Sequence, residues 1–160
     1  MDYLKSFGIK KDKDVYKKEM IYGVLLINNI ITKIASDFFS NYKLTAPTFN
    51  VLMVIKHAGG KSGISQADIS KRLILTPSNM TRILDRLEKR GLIKRISHKT
   101  DRRVNVIKVT KKASNLLDKI WPAYTEKIKY VANHMSKNEQ KTIAKILLKW
   151  FEKLVKYNGE

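Results

Sequence analysis

The chain has seven arginines, Arg72, Arg82, Arg86, Arg90, Arg95, Arg102 and Arg103, all in one stretch, whereas its 26 lysines run from end to end. A preference for lysine would not confine arginine in this way. The planar guanidinium fork suits bidentate recognition of phosphate and of the guanine edge. Residues 61–112 hold 15 basic and 4 acidic side chains, so +11 of the chain's formal +19 sits where the arginines are. Charge of that size favours a polyanion, either nucleic acid or an anionic membrane surface.

Other chemistry finds little support. Cysteine is absent, which removes disulfides, thiol switches and thiolate-bound zinc. His57, His98 and His134 are far apart and lack the paired spacing of a metal site. Acids are few, and no glycine-rich phosphate loop or serine-nucleophile motif is present, so neither an enzyme, a cofactor nor a bound metal is expected. Carboxylates such as Glu19, Asp37, Asp118 and Glu126 read as helix-surface charges. No apolar run reaches the roughly 18 residues of a membrane span, and the lysine-rich start has no signal-type apolar core. We therefore expect a cytoplasmic protein with no membrane partner, its 160 residues forming a single domain, 1–160.

The elements that must position the arginines follow from periodicity. Met20, Val24, Ile27, Ile31, Ile34 and Phe38 step by four and three, predicting a long helix over 14–39. Phe49, Leu52, Met53 and Ile55 form a second pattern after Thr45 and Pro47, ending before the Gly59-Gly60 turn. Ser65, three residues before Asp68, resembles a capping box opening a short third helix. Thr76 followed by Pro77 reads as N-cap and first turn of a fourth helix through Arg90, closed by Gly91. Residues 93–97 and 104–110 flank a charged bend at 99–103, predicting an antiparallel hairpin. Leu117, Trp121, Tyr124, Ile128, Val131 and Met135 mark a fifth helix that Pro122 is expected to bend or divide, and Ile143, Leu147, Trp150 and Leu154 mark a sixth from Asn138. The first, fifth and sixth helices have more apolar stripe than one small domain can cover, which implies packing across a two-fold axis; a monomeric core is the alternative.

The fourth helix divides cleanly. Met80, Ile83, Leu84 and Leu87 face inward, leaving Ser78, Asn79, Thr81, Arg82, Asp85, Arg86 and Lys89 outward. Small polar and forked side chains near the N-terminus of such a helix can reach base edges in the major groove, and the N-terminus itself can accept a phosphate. The candidate DNA contacts are Ser65, Gln66, Thr76, Pro77, Ser78, Asn79, Thr81, Arg82 and Arg86, with Lys99, Asp101, Arg102 and Arg103 at the bend. Arg82 and Arg86 could instead be surface arginines paired with Asp85 or Glu88.

The segments from Ile64 to Leu73 and from Thr76 to Ile93, followed by Asp101, Arg103 and Ile107, resemble the reading head of the multiple-antibiotic-resistance regulator (MarR) family. That resemblance, strongest over 64–113, implies a mainly α fold with a small two-stranded β-wing (α+β): a winged helix-turn-helix lobe at 45–112 and dimerisation helices at 14–40 and 113–156. It also implies a homodimer that binds double-stranded DNA, a repressor on a pseudo-palindromic operator, with the fourth helix in the major groove and Arg103, oriented by Asp101, near the minor groove. Such an arginine suits the enhanced negative potential of a narrow minor groove. Ala113 stands where the family often has glycine. Members often take small aromatic or anionic effectors; Phe49, Trp121 and Tyr124 could line such a crevice, although aromatics at helical spacing more often form core. The rival readings are an architectural, sequence-indifferent DNA binder and a cationic adaptor for membranes or acidic proteins.

Overall fold

The computed structural model describes residues 5–9, 13–97 and 105–157. Among these, a 3-10 turn at Lys5–Phe7 precedes α1 (Val15–Ser40), α2 (Ala46–Gly59), β1 (Ile64–Ser65), α3 (Gln66–Leu73), α4 (Pro77–Lys89), β2 (Ile93–Ser97), β3 (Asn105–Val109), α5 (Lys111–Ala132) and α6 (Lys137–Tyr157). They fall into two compact units, Met1–Asp118 and Lys119–Glu160.

Local chemistry sets the helix boundaries of the first unit. The Thr45 and Thr48 side chains accept hydrogen bonds from each other's backbone N–H, a reciprocal capping box at α2. Ser65 caps α3 by accepting from the Asp68 N–H, and its hydroxyl donates to the Asp68 carboxylate at 2.7 Å. Thr76 caps α4 by accepting from the Asn79 N–H, and Pro77 takes the first turn, where its missing N–H costs nothing. At the other end Gly91, with φ +65°, lets the Leu92 N–H reach back to the Leu87 carbonyl.

The predicted hairpin is present as β2 and β3, paired Ile93 with Val109 through Ser97 with Asn105. A third strand joins it: β1 pairs antiparallel with β3 through Ile64–Ile107 and Ser65–Val106, giving the order β1-β3-β2. Two residues are too few to show alternation, so the periodicity that located the hairpin could not find this strand. Gly63 admits it. Its φ is +88°, and a Cβ there would stand 3.1 Å from the Ile107 carbonyl oxygen.

Phe39, Phe49, Leu52, Ile55, Ile69, Met80, Leu84, Leu87, Leu92 and Ile107 fill the core of this unit, all with 2% exposure or less. Phe49 lies on Phe39 with ring centroids 4.5 Å apart, so it is a core residue. Pro122 lies inside α5 and neither ends nor divides it. In the second unit Gln140 spans the α5–α6 turn, its amide donating to the carbonyls of Ala132 and Met135 at 2.9 Å. Ser136 and Glu139 cap α6, and the two Ser136 donors hold the Glu139 carboxyl below its ordinary pKa. No described helix is long and apolar enough to cross a membrane.

Candidate nucleic-acid interface

The candidate surface is the outer row of α4. Met80, Leu84 and Leu87 are wholly buried, so the opposite row is fixed outward: Ser78, Asn79, Thr81, Arg82 and Arg86 are all exposed. Thr76 and Pro77 are also exposed at its start. Gln66, the first residue of α3, reaches this row; its amide donates to the Thr81 hydroxyl at 2.8 Å, and that hydroxyl donates on to the Pro77 carbonyl at 3.0 Å. α3 is thereby tied to the first turns of α4. Ser65 acts as a cap in this structure, with its hydroxyl committed to Asp68. Lys99, Asp101, Arg102 and Arg103 lie outside the described residues.

The acids beside this row are already held. Arg95, on β2, places one guanidinium nitrogen 2.6 Å from an Asp85 oxygen and another 2.5 Å from Glu88 Oε2. The other Glu88 oxygen accepts from the Arg95 backbone N–H at 3.3 Å. Asp85, then Glu88, hold the Arg95 guanidinium above its ordinary pKa, against the opposing effect of burial. Arg82 and Arg86 make no ion pair among the described residues. The surface-pair alternative, in which these two arginines would take Asp85 or Glu88, is therefore not the arrangement seen.

Arginine clustering overstated the number of arginines available for an external polyanion. Arg95 serves the two acids, and Arg90 donates to the Lys43 carbonyl in the α1–α2 loop. Lys108 and Lys112 likewise spend their ammonium groups on the carbonyls of Lys61 and Arg90.

A hollow of about 240 Å³ opens beside the row, lined by Pro47, Leu75, Asn79, Arg82, Ile83 and Arg86. Its walls are apolar and two guanidinium groups border it. A second hollow, about 430 Å³, lies between α3 and the start of α4, lined by Gln66, Ala67, Ser70, Leu75 and Pro77.

A three-helix core, a helix-turn-helix whose second helix turns a polar row outward, and an attached antiparallel sheet define a winged helix-turn-helix protein. Residues 44–104 match the MarR family. The regulator PecS of Dickeya dadantii (strain 3937) is 29% identical over 144 residues, covering 90% of this chain and 86% of PecS. The repressor YetL of Bacillus subtilis (strain 168) is 26% identical over 141 residues, 88% of this chain and 84% of YetL. Among solved structures, the S. aureus MepR–DNA complex superposes with a TM-score of 0.76 at 22% identity, covering 82% of this chain and 96% of MepR. A mutant MarR from E. coli complexed with operator DNA gives 0.78 at 21% identity, covering 87% and 98%. The family match covers the winged helix-turn-helix lobe, and PecS and YetL, similar over most of the chain, are both helix-turn-helix transcriptional regulators.

Proposed function

We propose that the protein is a homodimeric repressor in the cytoplasm that reads a pseudo-palindromic operator with α4 in the major groove. The observation that carries this reading is the outer row of α4: five exposed polar or cationic side chains on a helix anchored by three wholly buried residues, its neighbouring acids neutralised from β2. MepR and MarR, whose folds match, were solved on DNA, and YetL is named a repressor. Ser78, Asn79, Thr81 and Arg82 read base edges, while Thr76, Pro77, Gln66 and Arg86 set the approach to the backbone. The wing residues Lys99, Asp101, Arg102 and Arg103 grip the flanks, with Arg103 in the minor groove.

Exposed apolar side chains on both terminal helices support the dimer. Met20, Val24, Ile27 and Ile31 on α1 are 38–58% exposed, and Ile143, Leu147 and Leu154 on α6 are 42% exposed each. A second copy covers them. The hollow bordered by Arg82 and Arg86 takes a small aromatic or anionic effector, which competes with DNA for the same guanidinium groups.

Recovery of bound fragments from the source genome, followed by competition between the enriched duplex and random duplex, tests the reading. A preference of about a thousandfold or more at moderate salt is expected of a specific regulator. Equal affinity for all duplexes would make this an architectural binder instead.

A further inference from the structure

Two acids on a DNA-reading helix are a liability, because phosphates repel them. Asp85 follows Arg82 by three residues and adjoins Arg86, and Glu88 lies one turn further on. Neither acid is paired within α4; both are met by Arg95, which arrives from β2. The order of the sheet makes β2 an edge strand, and its outward Arg95 N–H would otherwise lack a partner; Glu88 supplies one. Arg95 thus joins helix to hairpin at three points: guanidinium to Asp85, guanidinium to Glu88, and backbone to Glu88. Its side chain is 27% exposed, and two guanidinium nitrogens are already committed.

We propose that Arg95 is a positioning residue for DNA recognition: it acts through Asp85 and Glu88, cancelling the charge of both acids and holding the base of the hairpin against α4, without itself touching DNA. The inference rests on the DNA-binding reading above. It separates the arginines into two groups with opposite partners. Arg82 and Arg86 face an external polyanion, whereas Arg95 faces the protein's own acids so that those two can.

The test is a thermodynamic cycle. The effect of Arg95→Gln is measured in the wild-type background and again in Asp85→Asn/Glu88→Gln, using full-length protein and the enriched genomic duplex, labelled and about 30 base pairs long, enough for two half-sites a helical turn apart. If Arg95 works through the acids, Arg95→Gln weakens binding about tenfold in the wild-type background, within the range seen for coupled residues, and less than about twofold once the acids are gone. An equal loss in both backgrounds would show that Arg95 contacts DNA directly and would overturn the proposal. So would unchanged affinity with only a lower melting temperature, the signature of a purely structural pair. Where Arg95→Gln does not fold, Arg95→Lys, which keeps the charge and loses the fork, carries the same cycle. Absence of binding by the wild-type protein would refute the DNA reading itself, and the wild-type arm alone reveals it.

Discussion

α4 and α6 are both amphipathic, yet they dispose of their apolar faces differently. In α4, Met80, Leu84 and Leu87 are all 0% exposed, buried by α2, α3 and the sheet of their own unit. In α6 no residue is buried, and Ile143, Ile146, Leu147, Leu148, Phe151 and Leu154 are 42–64% exposed. The polar faces differ as well. Lys141, Lys145, Lys149 and Lys153 repeat every fourth residue along α6, mutually repelling, while the acids of α4 have a dedicated partner on β2. A helix that finishes its packing within the chain can afford a specific outer surface. For one that does not, the proposed dimer supplies the cover from a second copy.

The contrast is broken most directly by Leu84→Ala. Deleting a wholly buried leucine removes transfer free energy and leaves a cavity, so stability in urea should fall by about 3 kcal/mol. The same loss should register in circular dichroism and in DNA affinity, because α4 cannot be held without its core. Leu147→Asp on α6 should act on assembly instead: sedimentation should show dimer converting to monomer, at a cost of about 2 kcal/mol in association, with the winged lobe still folded. Sedimentation unchanged by this substitution would leave the exposed α6 stripe without its proposed partner.

Much of α4 is legible in the sequence, because its boundaries depend on neighbours in the chain: Thr76 and Pro77 before it, Gly91 after it, and apolar residues at helical spacing between them. The resemblance also identified the winged helix. What escaped depends on contacts between elements. β1 exists only because Gly63 lets Ile64 approach Ile107 across the sheet. The clustering of arginine revealed charge without revealing its destination, so Arg90 and Arg95 were indistinguishable from Arg82 and Arg86 until their acceptors were placed. Thr48 was similarly missed as the reciprocal half of the α2 cap, since threonine there is also consistent with an ordinary first-turn residue.

A smaller change sharpens the account of how α4 is started. Thr76→Ala removes the side chain that accepts from the Asn79 N–H and should cost about 1 kcal/mol in urea unfolding. Thr76→Ser keeps the acceptor and should restore most of that stability. If alanine and serine behave alike, the cap contributes nothing and Pro77 alone sets the start of the helix.

The smallest expected effect has the opposite sign and concerns the place where the winged lobe fails to match its own groups. Ser70 is buried on α3 beside the hollow under Leu75 and Pro77, and its hydroxyl has no hydrogen-bond partner among the described residues. An unpaired buried hydroxyl costs desolvation without return, and alanine is the better helix former at an interior position. Ser70→Ala should therefore stabilise the protein by about 0.5–1 kcal/mol in urea unfolding. A destabilised variant would mean that the hydroxyl is satisfied in solution, most simply by water entering the hollow. Affinity for DNA should not change, because Gln66, the α3 residue bonded to the reading row, is untouched.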